Sequence, residues 1–174
     1  MQNFIVFTDG SFHIPGETHG GIVFWGPDNK PSNALHVYSN NFAFTEMRNV
    51  GGEVIAAWCA MLSVAETVKK LNEESMDSYT LNLIYDYEGI GKWATGRWKA
   101  NKPATKAYVK FVRDLATEVP NLKINYIWIR GHQSSDSDNF VIGNNEADKV
   151  SAYDMKYAEN HNIPICNIDE VIKW

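Results

Sequence analysis

The feature that most constrains the fold of this chain is a long amphipathic helix predicted between two short apolar strands. Residues Asn3–Thr8 and Thr80–Tyr85 are apolar and rich in strand-forming residues, and an aspartate follows each of them directly. Between these strands, apolar residues recur at every third or fourth position over Glu53–Asn72, which predicts a helix. A strand, a helix and a strand in this order predict a right-handed parallel crossover with the helix packed on the sheet.

The remaining segments complete a mixed α/β sheet. Two strands at Gly20–Trp25 and Leu35–Phe44, with turn-forming residues 26–31 between them, are predicted to form an antiparallel meander with the first strand. The other predicted elements are a short helix at Tyr87–Ala94, an amphipathic helix at Ala104–Glu118, a strand at Leu122–Ile129 and a helix at Asn144–Glu159. The predicted sheet therefore has five strands, three antiparallel and then parallel crossovers, and helices flank it.

The length of the chain fits one domain. We predict that residues 1–160 form it and that residues 161–174 are a C-terminal extension, with a last helical turn that begins at Asn167. Hydrophobic residues make up 44% of the chain and charged residues 21%, which rules out disorder and coiled coil.

No pattern in the sequence indicates a membrane or an oxidising compartment. The apolar run that contains Ile55–Leu62, the longest in the chain, is too short to span a bilayer, and the first residues lack the pattern of a signal peptide. Cys59 and Cys166 are not spaced for a disulfide framework or a zinc site. We expect a cytoplasmic protein, and we predict a monomer with no membrane association and no obligatory protein partner.

Charge is distributed unevenly along the chain. The formal net charge is −5, yet residues 88–113 carry seven basic side chains against Glu88 alone. A basic stretch on an acidic body is typical of proteins that bind nucleic acids. The plainer interpretation is a solvated helix face.

Four acidic residues from four predicted elements are candidates for one site. Asp9 and Asp86 each end an apolar strand, and parallel neighbouring strands would bring them together at the carboxyl edge of the sheet. Glu53 lies in the first turn of the crossover helix, and Asp148 belongs to the last predicted helix. Each residue alone also fits a plainer role as a turn residue, a helix cap, a dipole partner or an exposed helix position. The joint placement of all four favours a common site.

A cluster of carboxylates predicts a metal site, because carboxylates at close range repel one another unless cations separate them. Oxygen ligands with open coordination positions suit Mg²⁺, for which Mn²⁺ can substitute. Two such ions roughly 4 Å apart can activate a water and stabilise a leaving oxygen in phosphodiester hydrolysis.

His132, in the loop after the fifth predicted strand, is a further candidate at the same edge of the sheet. It could transfer a proton there, or it could be an ordinary exposed histidine.

Five short motifs follow one another in an informative order. They are Thr8-Asp9-Gly10-Ser11, Gly52-Glu53-Val54-Ile55-Ala56-Ala57, Ile84-Tyr85-Asp86-Tyr87-Glu88-Gly89-Ile90, Gly131-His132 and Asn144-Asn145-Glu146-Ala147-Asp148. Together they resemble type 1 ribonuclease H from Asn3 to about Tyr157, and most of all its bacterial and phage members. Some relatives add an N-terminal hybrid-binding domain, whereas this chain begins directly at the first strand.

The resemblance implies a ribonuclease H-like fold and an endonuclease that cuts the RNA strand of RNA/DNA hybrids, leaving 3′-hydroxyl and 5′-phosphate ends. It implies that the metal-binding carboxylates, with the first of them bridging two Mg²⁺ ions, are Asp9, Glu53, Asp86 and Asp148. His132 matches the mobile histidine of the family, which assists turnover and product release.

Asn49 matches a position near which relatives touch the substrate backbone. Glu46 is the rival of Glu53, which we prefer because it lies inside the apolar helix pattern. The predicted contacts to the DNA strand fall where longer relatives carry a basic substrate handle, and they are Lys92, Trp93, Arg97, Trp98, Lys99 and Lys102. The two tryptophans could instead be packing residues.

The sequence departs from the family pattern in two places, and two other functions are compatible with it. The segment from His132 to Asp148 is longer than usual, with the flexible residues 134–138 inserted, and the handle is short. Another nuclease on the same fold, such as a 3′–5′ exonuclease, would use a similar acidic cluster. A non-catalytic hybrid-binding module is the other alternative, and the presence of all four carboxylates disfavours it.

Overall fold

A six-stranded mixed sheet forms the centre of the structure, a computed structural model that describes residues 2–13, 16–26 and 28–172. The strands are β1 Gln2–His13, β2 Glu17–Trp25, β3 Pro31–Ser39, β4 Tyr79–Tyr85, β5 Leu122–Trp128 and β6 Ile165–Asn167. They lie in the order β5-β4-β1-β2-β3-β6. β1 pairs antiparallel with β2 and parallel with β4, so the predicted meander and crossover are both present.

The predicted number of five strands is wrong by one. β6 lies in the tail and pairs in parallel with the end of β3. Ile168, in the 3₁₀ turn that follows, is fully buried in the main core and holds the tail on the sheet. Asn167 begins this turn, and its side chain accepts a hydrogen bond of 3.1 Å from the Asp169 amide. The domain boundary at residue 160 stays a prediction, and residues 173–174 of the predicted extension lie outside the described residues.

Six α-helices within the described residues pack around this sheet. They are α1 Phe42–Thr45, α2 Asn49–Leu71, α3 Gly89–Ala94, α4 Pro103–Glu118, α5 Asn139–Ser151 and α6 Lys156–Asn160. None of the helices in this described part of the chain is long and apolar enough to cross a membrane. The crossover helix α2 is present as predicted, but it starts one turn before Glu53.

Several boundaries differ from the prediction. The first strand does not end at Asp9, because β1 continues to His13 in its pairing with β2. Two other boundaries differ because polar side chains cap helices there. β3 ends at Ser39 and α1 follows, since the Asn41 side chain accepts a hydrogen bond of 3.0 Å from the Ala43 amide. α5 begins at Asn139 because Asp138 accepts a hydrogen bond of 2.9 Å from the Phe140 amide. The loop after β5 is therefore shorter than predicted, and the last predicted helix is divided into α5 and α6. Pro27, in the predicted turn after β2, lies outside the described residues.

The two faces of the sheet bury two separate cores. On one face Val6 and Leu83 pack with the apolar residues of α2, and on the other Phe7 and Ile84 pack with Ala147 of α5. Because side chains alternate along a strand, Asp9 shares the α5 side of β1 with Phe7. The carboxyl ends of β1 and β4 thus lie between α2 on one side and α5 on the other.

Candidate active site

Three carboxylates converge at the carboxyl edge of the sheet. One oxygen each from Asp9, Glu53 and Asp86 lies within 4.8 Å of the other two. Asp9 and Glu53 are each only 5% exposed, whereas Asp86 is half-buried and faces the open side. Glu53 belongs to this group of three, whereas its rival Glu46 does not. Glu46 instead forms an ion pair of 3.2 Å with Lys102.

Strand register brings the two aspartates together. In the parallel ladder of β1 and β4, Phe7 is the partner of Ile84. Asp9 and Asp86 lie two residues after these partners, so they are at the same level of the sheet. The Asp9 carboxylate is oriented by a hydrogen bond of 2.7 Å from the Gly10 amide. The Asp86 carbonyl accepts a hydrogen bond of 2.9 Å from the indole of Trp128 in β5, which fixes the backbone after β4.

Two glycines allow Glu53 to approach Asp9. A Cβ atom on Gly10 would overlap the backbone of α2 at Asn49, Gly52 and Glu53. A Cβ atom on Gly52 would in turn overlap the backbone of β1 and β2. The crossover helix therefore packs with its backbone against the strand, and Glu53 reaches the edge of the sheet from inside the core.

The carboxylates are held together at an electrostatic cost. The pKa of Asp9 is raised to about 7, mainly by burial and also by the nearby Asp86 and Asp148, against hydrogen bonds from Glu53 and the Gly10 amide that lower it. Burial, followed by the charges of Asp9 and Asp86, raises the pKa of Glu53 well above its usual value. Within the described residues, no lysine, arginine or histidine forms an ion pair with any of the three.

The donor set fits a divalent cation. The buried Glu53 Oε2 has no hydrogen-bond partner among the described residues, although a buried charged oxygen is costly to leave unpaired. Oxygen donors of this kind are the ligands that Mg²⁺ and Mn²⁺ prefer. The carboxylates that would hold such an ion are Asp9, Glu53 and Asp86.

Helix α5 brings two further residues to the site. Asp148 is exposed and interacts with the Asp9 carboxylate, but it does not belong to the group of three. Asn144, one turn earlier, lies with its Nδ2 3.4 Å from Asp86 Oδ2, and its buried Oδ1 has no partner among the described residues. Asn144 had no role in the sequence-based prediction, and its spacing of four from Asp148 is the signal that could have found it.

His132 lies on the loop between β5 and α5. It is exposed, and its backbone adopts a left-handed conformation with φ of 54°. The preceding Gly131 packs so closely on Asp86 that a Cβ atom there would lie 2.5 Å from Asp86 Oδ2. Asn145 holds the loop to α5 by a hydrogen bond of 3.0 Å to the Gln133 carbonyl. Asn49, the predicted backbone contact, is exposed at the start of α2.

The predicted substrate handle divides into a packed part and an exposed part. Trp93 is buried, and its ring lies edge-on to Trp98 with the centroids 5.9 Å apart. Lys92 is paired with Glu88 at 2.6 Å and lies 4.8 Å above the Trp98 ring. The exposed members of the predicted set are Arg97, Lys99 and Lys102.

Comparison with known proteins agrees with this geometry. The sequence pattern of the RNase H family matches residues 1–155. RNase H1 from the halophilic archaeon Halobacterium salinarum is 19% identical over 88% of this chain and 96% of its own, with a TM-score of 0.60. The N-terminal RNase H domain of a Mycobacterium tuberculosis protein is 18% identical over 93% of this chain and 99% of its own, with a TM-score of 0.62.

A third similar structure is that of LC11-RNase H1, of metagenomic origin, in complex with an RNA/DNA hybrid. It is 20% identical over 86% of this chain and 99% of its own, with a TM-score of 0.55. At these identities the structures establish a common fold. A comparison with curated protein sequences found no significant match.

Proposed function

This chain is a member of the ribonuclease H family of enzymes, and we propose that it cuts the RNA strand of RNA/DNA hybrids at internal positions. The family and enzyme class expected from the sequence are thereby confirmed. The observation that carries the proposal is the group formed by Asp9, Glu53 and Asp86, which combines buried negative charge with an open side. The hybrid bound to LC11-RNase H1, which shares the fold, supports the choice of substrate.

We assign two divalent cations, Mg²⁺ or Mn²⁺, to these carboxylates together with Asp148. Asp9 interacts with each of the other three acids, so it would be a ligand common to both ions. A bound pair of such ions supplies an activated water and a stabilised leaving oxygen. Asp9 and Glu53 then remain ionised, since the cations compensate the burial that otherwise favours their protonated forms.

The chain's own residues orient the phosphate and move protons. Attack of a water on the scissile phosphate would break the P–O3′ bond. The water oxygen would stay on the 5′-phosphate as the water loses a proton, and O3′ would take up a proton to give the 3′-hydroxyl. His132 is exposed beside this edge, so we assign it proton transfer at the reacting phosphate and assistance to product release. Asn144 orients the Asp86 carboxylate from the side of α5.

Groove shape and the 2′-hydroxyl distinguish a hybrid from the two homoduplexes, and contacts to the phosphate backbone supply most of the affinity. We assign the DNA-strand contacts to the exposed side chains of Arg97, Lys99 and Lys102. Trp98 is half-buried, and the Lys92 ammonium lies 4.8 Å above its ring. Asn49, at the start of α2, is assigned a contact to the substrate backbone.

The proposal is tested with one labelled RNA strand, annealed to DNA, annealed to RNA or left single, in Mg²⁺ or in EDTA. We expect internal cuts only in the RNA/DNA hybrid and only with Mg²⁺. Cleavage in EDTA would contradict the metal assignment, and equal cleavage of single-stranded RNA would contradict the substrate.

A hybrid whose RNA strand is blocked at both ends distinguishes this endonuclease from a 3′–5′ exonuclease on the same fold. We expect unchanged cleavage of the blocked hybrid. The RNA fragments should be extendable by a polymerase at the new 3′ end and should accept a 5′ label only after phosphatase treatment. Loss of cleavage on blocking would favour the exonuclease.

A further inference from the structure

The last turn of α5 is fastened to the sheet through its backbone carbonyls. His36 of β3 donates a hydrogen bond of 2.6 Å from Nδ1 to the Val150 carbonyl. Ser11 of β1 donates one of 2.5 Å from Oγ to the Ser151 carbonyl. The final carbonyls of a helix have no partners within it, so these bonds fix where α5 ends relative to the sheet.

The sheet is shaped to admit this contact. Gly21 of β2 is the ladder partner of His36, and a Cβ atom on Gly21 would overlap the Ala147 carbonyl and lie 2.5 Å from the Ser151 amide. The glycine thus lets the helix backbone approach the strands, and the neighbouring imidazole bonds to it. His36 is completely buried, so water does not compete for the Val150 carbonyl.

The Val150 carbonyl determines which nitrogen of His36 carries the proton, and a second buried histidine faces the other nitrogen. A carbonyl can only accept, so His36 Nδ1 must be protonated. Burial lowers the pKa of both His36 and His19, which favours neutral rings. His36 Nε2 is then an acceptor, and it lies 3.0 Å from Nδ1 of His19, which donates to it. His19 Nε2 faces the Glu17 carboxylate at 3.3 Å, and this carboxylate opposes the lowering of the His19 pKa by burial.

We propose that His36 is a positioning residue that sets the place of α5, and through it the place of Asp148 and Asn144 relative to Asp9 and Asp86. Val150 lies two residues after Asp148, so a displaced helix end moves Asp148 directly. The Asn144 amide is only 3.4 Å from Asp86, so a small displacement breaks that contact as well. The inference rests on the proposed function in one respect, the assignment of Asp148 to metal binding.

Matched amide variants separate positioning from packing. In His36→Asn the amide nitrogen can occupy the place of Nδ1 and keep the donor to Val150, whereas His36→Gln places its amide near Nε2, towards His19. Mn²⁺ binding is measured on the protein free of metal and nucleic acid, by the loss of the EPR signal of the free ion. His36→Gln should weaken Mn²⁺ binding on the order of tenfold, as when an outer hydrogen-bond partner of a metal ligand is lost, and His36→Asn by about twofold or less.

A double-mutant cycle with Asp148→Asn tests the route. If His36 acts through Asp148, the loss caused by His36→Gln should largely vanish in the Asp148→Asn background. Full additivity of the two losses would overturn the proposal, and so would equal Mn²⁺ affinities for the two amide variants.

The tautomer of His36 can be measured in the wild-type protein, so this test does not depend on the folding of a variant. Long-range ¹⁵N–¹H NMR of the wild-type protein should show His36 protonated at Nδ1 and bare at Nε2. Protonation at Nε2 instead would remove the hydrogen bond to Val150 and overturn the proposal. Failure of the wild-type protein to cleave hybrids would contradict the proposed function but would leave the tautomer and Mn²⁺ measurements interpretable.

Discussion

The acidic edge and the basic stretch differ in how their charges are held. Asp9 and Glu53 are buried, lie close to like charges and have no cation partner among the described residues. The basic side chains of residues 88–113 are instead largely exposed, and several are paired with acids of their own surroundings. Among the described residues, these pairs are Lys92 with Glu88, Lys102 with Glu46 and Lys110 with Asp114.

This difference indicates which region is built for chemistry and which for attraction. Buried like charges reduce stability, so their presence points to a ligand that compensates them. Exposed ion pairs contribute little to folding and exchange readily with phosphates. Changes at the acidic edge should therefore alter catalysis and metal binding, whereas changes in the basic stretch should alter affinity and its dependence on salt.

The largest effect is expected from Asp9→Asn. Removing the carboxylate that interacts with the other three acids should lower kcat by about 10³-fold or more, because several kcal/mol of charge stabilisation is lost. Hybrid binding in Ca²⁺ should be retained or improved, because a negative charge that faces phosphates is removed. Single-turnover cleavage and a binding titration measure the two quantities.

The control is Asp114→Asn, which removes a half-buried acid, outside the acidic edge, from the pair with Lys110. It should leave kcat unchanged. Cleavage by Asp9→Asn at a rate near that of the control would exclude Asp9 from the site and undo the contrast between the two regions.

A smaller catalytic effect is expected from Gly131→Ala. The added Cβ atom would lie 2.5 Å from Asp86 Oδ2, and the carboxylate can move away at little cost to the fold. We expect a loss of kcat on the order of 10- to 100-fold with little change in Tm, since misplacement by about 1 Å can cost 10²-fold. An unchanged kcat would show that the orientation of Asp86 is not critical.

The basic stretch should respond differently. Lys99→Ala with Lys102→Ala should raise KM several-fold and reduce the slope of log KM against log salt by about 2, at nearly constant kcat. Lys70→Ala with Lys123→Ala, which removes two exposed lysines from the opposite end of the sheet, is the matched control. The interpretation as a solvated face would be preferred if both double variants had the same salt slope as the wild type.

The two lysines of that variant are also distinguishable from each other. Lys102 is bonded to Glu46 at 3.2 Å in the free protein and must leave it to reach a phosphate. Glu46→Gln should therefore lower KM, by about 1.4- to 5-fold, because exposed pairs are worth only about 0.2–1 kcal/mol. A rise in KM would instead indicate that Glu46 positions Lys102 for the substrate.

The smallest effect concerns stability and pH. The pKa of Asp9 is raised to about 7 in the folded, metal-free protein, above its value of 3.8 when unfolded, so the folded state binds a proton more tightly. The stability that this proton contributes is present at low pH and lost as pH rises through about 7. Without metal, Tm should therefore fall between about pH 6 and pH 8 by more in the wild type than in Asp9→Asn, whose side chain does not titrate.

Thermal unfolding at the two pH values, with and without Mg²⁺, measures this difference. Mg²⁺ should raise Tm of the wild type most at the higher pH, because the metal competes with the proton for the same carboxylates. Parallel pH dependences for the two proteins would show that the Asp9 proton does not contribute to stability.

The sequence alone determined the elements that carry the acidic edge. An apolar run that ends in aspartate, repeated on both sides of an amphipathic helix, predicts the parallel neighbours β1 and β4 and the meeting of Asp9 and Asp86. Glu53 follows from the same helix pattern. These predictions are possible because a helix or strand that buries one face has apolar residues at regular intervals along its sequence.

Other features were decided only by tertiary structure, because they depend on contacts between residues far apart in the chain. The three residues of β6 are too few to show a period, and the docking of Ile168 in the core places them on the sheet. The pairing of Lys102 with Glu46, and the bond from His36 to Val150, leave no local pattern either.

The sequence was therefore sufficient to predict that Asp9, Glu53 and Asp86 lie close together, but not to predict their surroundings. Packing between elements decides which glycines let a helix backbone approach a strand, which cations are paired and which histidine nitrogen is protonated. Such packing leaves no local pattern in the sequence because it joins residues that are far apart in the chain.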